Sequence, residues 1–125
     1  MKWMTSEKLL SINHAGELGA INFYTAQRAV GKFMFPSAVA EVTTILEHEK
    51  VHYKMFNDLL VKRNSRKCRD LWFWQLGGYL LGMVTALLGV KSAMVATEVF
   101  EDVVIEHFNE QLDLSFIHII KPTRP

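Results

Sequence analysis

Three segments of this chain carry glutamates where an amphipathic helix should carry apolar side chains, which restricts the ways the chain can pack. Residues recurring in alternating three- and four-residue steps share one helical face. In one segment the steps run Val42, Ile45, Glu49, His52, Phe56, Leu59; in an earlier one, Leu10, Asn13, Glu17, Ile21, Tyr24; in a later one, Met94, Thr97, Glu101, Val104, Phe108. Each of these faces should pack inward and so takes a carboxylate into the core. An isolated buried carboxylate costs on the order of several kcal/mol unless it is protonated, paired or bound to a cation. Lys50, Lys54 and Arg28 project to other faces by helical phase, and Lys91 precedes the last expected helix. A bound multivalent metal explains the acids together better than salt bridges do.

The remaining pattern predicts an all-α chain forming a single domain over 1–125. Helices are expected over about 6–30, 36–61, 71–88 and 92–112, with an irregular tail over 113–125. Ser6 to Val30 holds no proline, Gly31 to Phe35 reads as a connector, and Pro36 with Ser37 suits a helix start, so the first two helices should form an antiparallel hairpin. Lys62 to Arg69 contains five basic residues and no acid, whereas the twenty residues from Leu71 to Val90 carry no charge. That length matches a membrane span, and Gly78 and Gly82 have the spacing that lets helices approach closely in lipid. Gln75 and the glycines dilute the apolar signal, and Trp72 and Trp74 stand beside the basic run, so a helix lying at the membrane interface is favoured over a spanning one. A buried helix is the plain alternative. The basic run is either a solvated loop or an attractor for anionic lipid.

Composition narrows the partners. A net charge of +1 with 50% apolar residues argues against a disordered chain and against a nucleic-acid binder. Cys68 is the only cysteine, which excludes an internal disulfide framework. Met1 to Leu10 lacks the pattern of a secretory signal or an organelle transit peptide.

A glutamate from each of two helices plus Glu-x-x-His from the others is the ligand set of di-iron bundles. Carboxylate and imidazole donors suit iron or manganese with an open position. A bare Glu-x-x-His is a weak motif, and a satisfied polar core pair is its competing explanation; the seam positions of Glu17 and Glu101 favour ligation. The candidate metal ligands are therefore Glu17, Glu49, His52 and Glu101. His14, Tyr24 and His107 are candidates for orienting a ligand or touching substrate, and His48 is expected to be exposed.

The run Asn13-His14-Ala15-Gly16-Glu17-Leu18-Gly19-Ala20, then Glu49-Lys50-Val51-His52 with Phe56-Asn57, then Thr85-Ala86-Leu87-Leu88-Gly89, and Glu101 with Glu106-His107-Phe108-Asn109-Glu110-Gln111, resembles the demethoxyubiquinone hydroxylase family of ubiquinone biosynthesis. The resemblance covers about Glu7 to Leu112. It implies a ferritin-like helical bundle and a di-iron mono-oxygenase that hydroxylates the ring of a polyprenylated demethoxyubiquinol. Carried over, Glu17 binds one iron, Glu49 bridges, His52 binds one iron, and Glu101 bridges or binds the other. Phe108 stands where the family has a tyrosine, and the family's second Glu-x-x-His has no counterpart here, so the bundle is expected to be incomplete and to carry only part of the ligand set for two irons. The implied partners are the quinol, dioxygen, a membrane surface and a lipid-binding companion protein, with homo-oligomerisation left open. The implied location is peripheral to the mitochondrial inner membrane or the bacterial plasma membrane. A non-catalytic, membrane-associated helical fragment with weak or no metal binding is the competing reading. An iron-storage bundle shares the ligands but leaves the apolar Leu71 to Val90 helix unexplained.

Overall fold

The computed structural model describes the backbone of residues 6–120 and the side chains of residues 8–106 and of Asn109. The described chain is an all-α, ferritin-like bundle of α1 (Ser6–Met34), α2 (Val39–Lys62), α3 (Leu71–Leu87) and α4 (Val90–Ile120), with a 3-10 turn at Pro36–Ala38. α1 is the central element: α2 and α3 pack extensively against it, while α4 touches α3 and α1 more lightly. Ala20, Phe23 and Tyr24 of α1 join Val42 and Leu46 of α2 in one buried cluster, closed by Ile21, Ile45, Ala96 and Phe100.

Helix ends follow local chemistry. α1 continues through the expected connector to Met34, because the conformational block comes at Phe35, the residue before Pro36. Phe35 is buried with Ala86 and Ala93, tying the α1–α2 turn to α3 and α4. α2 ends at Lys62, and the chain turns away at Asn64, whose φ of 52° is the left-handed conformation that asparagine tolerates, while Ser65 N–H donates to Leu60 O at 2.9 Å. Gly89, at φ 111°, makes the sharp turn into α4, which starts at once at Val90 rather than at Ser92 and so includes Lys91.

Two expectations are corrected. Residues 113–120 are not an irregular tail: α4 runs on to Ile120, since the next helix breaker after Gly89 is Pro122. Residues 121–125 lie outside the described chain. Gly78 and Gly82 are used inside the protein rather than toward lipid. A Cβ on Gly78 would collide with Gly19 O, and one on Gly82 with Phe23 O, so these two glycines let the α3 and α1 backbones touch. The opposite side of α3 exposes Trp72, Leu76, Leu80, Val84 and Leu87. Among the described residues, no helix is long and apolar enough to cross a membrane.

Candidate metal centre

Glu17 comes from the middle of α1, and Glu49 and His52 come from α2 one turn apart, so antiparallel pairing of these helices brings the three together. One ligand atom from each lies within 4.8 Å of the others. His52 Nδ1 stands 3.7 Å from Glu49 Oε2 and 3.9 Å from Glu17 Oε1. Glu17 and Glu49 are buried, at 5% and 7% exposure. Burial pushes the Glu17 carboxyl up to about 9; the hydrogen bond with Glu49 and the charges of Glu49 and Glu101 add to the shift. The groups acting on Glu17 are thus other acids. Glu17 Oε2 is buried without a hydrogen-bond partner, a defect that a bound cation would remove. Two facing carboxylates, an imidazole and an orphaned carboxylate oxygen fit a divalent metal of the iron or manganese type.

Other candidates fall in different places. Glu101, on α4, stands outside this triad: its Oε1 accepts the Tyr24 hydroxyl proton at 2.8 Å, and its charge still acts on Glu17. Tyr24 is fully buried in α1, and desolvation, followed by the bond to Glu101, keeps its phenol protonated. His14 is also buried, but it turns to α2 rather than to the acids. Its Nε2–H donates to Asn57 Oδ1 at 3.1 Å, and its ring lies 4.6 Å from that of Tyr53. Burial lowers the His14 pKa, and Nδ1 has no partner. His48 is exposed. His107 belongs to α4, but its side chain, like that of Phe108, lies outside the described set.

His52 corrects the seam. The heptad-like series placed it inward, yet its side chain is 48% exposed and Leu59 is exposed as well. The face that is buried runs through Val42, Leu46, Glu49 and Leu60, with Tyr53 and Asn57 half-buried along it. The two lines share Val42 and Glu49 and then part, because an α-helix turns every 3.6 residues and drifts from a 3.5-residue repeat by about 20° per heptad. His52 consequently sits at the rim of the cluster.

Beside the acids opens a cavity of about 380 Å³ between α1, α3 and α4. Glu17 and Glu49 stand at its wall with Asn13; Phe73, Trp74, Leu81 and Phe100 make it apolar, and Gly16 and Gly77 widen it. A second polar tie, made by a residue outside the sequence candidates, closes the far end of α1. Buried Gln27 donates from Nε2 to Ala93 O at 3.2 Å and accepts from Thr97 Oγ1 at 3.3 Å. Its signal was present in the spacing, since Gln27 lies three residues after Tyr24 on a face otherwise filled by core residues.

The family of ubiquinone biosynthesis protein COQ7 matches residues 4–116. Among curated relatives, a Bos taurus protein named NADPH-dependent 3-demethoxyubiquinone 3-hydroxylase, mitochondrial, is 35% identical over 107 residues, covering 85% of this chain and 48% of the relative. A Saccharomyces cerevisiae 5-demethoxyubiquinone hydroxylase, mitochondrial, is 33% identical over 106 residues, covering 85% of this chain and 46% of the relative. A Rhodospirillum rubrum 3-demethoxyubiquinol 3-hydroxylase is 34% identical over 108 residues, covering 86% of this chain and 50% of the relative. The chain spans about half the length of the curated relatives it matches. A family match over residues 4–116 and relatives about one third identical over some 85% of the chain show that it belongs to the COQ7 family of ubiquinone biosynthesis proteins.

Proposed function

We propose that this chain provides part of a di-iron centre that hydroxylates the ring of a polyprenylated demethoxyubiquinol during ubiquinone biosynthesis. The observation that carries this reading is the pair of buried, facing carboxylates, Glu17 and Glu49, at the wall of an apolar cavity with His52 at their edge. In this role Glu17, Glu49 and His52 would hold the iron, with Glu101 as a further carboxylate ligand. Bound iron supplies activation of dioxygen, one atom of which enters the ring while the other leaves as water at the expense of two electrons and two protons from a reductant. The protein's own contribution is to place the carboxylates beside an apolar cavity. Phe73, Trp74, Leu81 and Phe100 offer an apolar wall to a flat ring with an apolar tail, and Gly16 and Gly77 leave room along that wall.

Peripheral membrane attachment accompanies this reading. Exposed Trp72, Phe73, Leu76 and Leu80 on α3 follow directly on the exposed basic residues of the Lys62 to Arg69 loop, a combination suited to an anionic lipid surface. The relatives named mitochondrial support a mitochondrial location, and attachment to the inner membrane, or to a bacterial plasma membrane, belongs to the proposal. The lipid-binding companion protein remains part of the proposal through the family alone.

The test is anaerobic titration with ferrous iron, counting bound iron per chain, followed by oxygen uptake on adding a short-chain demethoxyubiquinol. Stoichiometric iron and quinol-dependent uptake are expected. Protein that takes up no iron, or whose iron survives Glu49→Ala, would show that the ligand assignment is wrong.

A further inference from the structure

α4 brings Glu101 to the site, yet α4 is only lightly packed on α1, so something must fix where that carboxylate stands. Tyr24 is placed to do so. It lies seven residues after Glu17, two turns along the same side of α1, and is wholly buried. Its ring is wedged edge-on against Phe23, with centroids 5.0 Å apart, and against Phe100 of α4, at 6.1 Å. Two aromatic neighbours leave the phenol little freedom, so the direction of its hydroxyl is set by the core. That hydroxyl donates to Glu101 Oε1 at 2.8 Å. The bond spans α1 to α4 and engages one of the two carboxylate oxygens.

We propose that Tyr24 is a positioning residue that holds Glu101 within reach of the Glu17, Glu49 and His52 cluster and sets how that carboxylate meets a metal. The inference rests on the metal-centre reading above. A group that hydrogen-bonds a ligating carboxylate fixes its orientation, and loss of such a partner typically weakens metal binding by about tenfold to a hundredfold. Phenylalanine keeps the ring packing and removes only the hydroxyl, whereas Thr97→Val removes a different bond between α4 and α1, the one to Gln27.

The experiment is anaerobic cobalt(II) titration of the wild-type chain and of Tyr24→Phe, Glu101→Ala, the double variant and Thr97→Val. Affinity and the cobalt ligand-field absorption are read, with circular dichroism and thermal melting of each metal-free protein. Tyr24→Phe should lower cobalt affinity by about tenfold or more and change the absorption bands at unchanged helicity. The loss should vanish in the Glu101→Ala background, and Thr97→Val should leave the bands unchanged. An equal loss with and without Glu101, or a Tyr24→Phe titration matching the wild type, would overturn the inference and leave the metal centre standing. Wild-type protein that binds no cobalt, or Glu49→Ala protein that binds it fully, would overturn the metal centre and this inference together. Should Tyr24→Phe fail to fold, 3-fluorotyrosine at position 24 keeps the shape and makes the hydroxyl a stronger donor; shifted cobalt bands are then expected, and unshifted bands count against the proposal.

Discussion

The two sides of α1 are built on opposite terms. Toward α3 it offers bare backbone, with Gly19 O and Phe23 O met by Gly78 and Gly82, so the contact is apolar, close and intolerant of an added methyl group. Toward α2 and α4 it offers His14, Glu17, Tyr24 and Gln27, all buried and polar. The first side gains stability from packing. The second gives some up, since the buried Glu17 carboxyl, facing other acids, has to remain protonated or find a cation. A scaffold contact and a functional contact thus share one helix, and each should fail in its own way.

The largest expected difference comes from Glu49→Ala, which should abolish iron uptake while leaving the metal-free protein helical, because it removes one of the two facing carboxylates and no apolar core residue. Iron content and the melting temperature of the metal-free protein check both halves. Next, Gly82→Val should destabilise the fold by about 1–3 kcal/mol, since its side chain meets the Phe23 backbone carbonyl, which cannot swing away. A denaturation midpoint equal to the wild type's would mean that the helices can separate freely.

The third prediction concerns pH. The Glu17 carboxyl sits at about 9 when folded, against an ordinary value near 4.5, so the folded state binds the extra proton between these values. Its contribution is therefore fully present below about 4.5 and is lost as pH rises toward 9. The metal-free protein should melt at progressively lower temperature over this window, and Glu17→Gln should flatten that slope; a slope identical in the variant would place the effect elsewhere. The smallest effect is expected from Gln27→Leu, which gives up the tie to Ala93 and Thr97 for an apolar side chain and should cost about 1 kcal/mol in chemical denaturation.

How far the site could be read in advance depended on the kind of information each residue needed. Glu17 and Glu49 were legible because a buried acid on a helical face shows in the sequence of its own helix. His52 was only half legible: its spacing from Glu49 is local, but whether it faces inward depends on how α2 is rotated against α1, and the 3.6-residue turn carries it to the rim. Glu101 was assigned to the right face and still stands apart from the triad, hydrogen-bonded to Tyr24. His14 was placed among the candidates for orienting a ligand, whereas its bond runs to Asn57. The glycines of α3 were noticed for their spacing, yet nothing in a spacing says whether the surface that comes close is lipid or another helix.

The sequence by itself therefore determined what is local and periodic: an all-α chain, the approximate helices, the acids on inward faces, and the Glu-x-x-His pair one turn apart. Tertiary structure alone decided that α3 closes on α1 through Gly78 and Gly82, that α4 continues past residue 112, that a cavity opens beside Glu17, and that Glu101 is held by Tyr24 rather than by the triad. The physical reason is that helical periodicity specifies which residues share a face. The distance, rotation and register between helices arise from side-chain packing and from the hydrogen bonds buried polar groups must find.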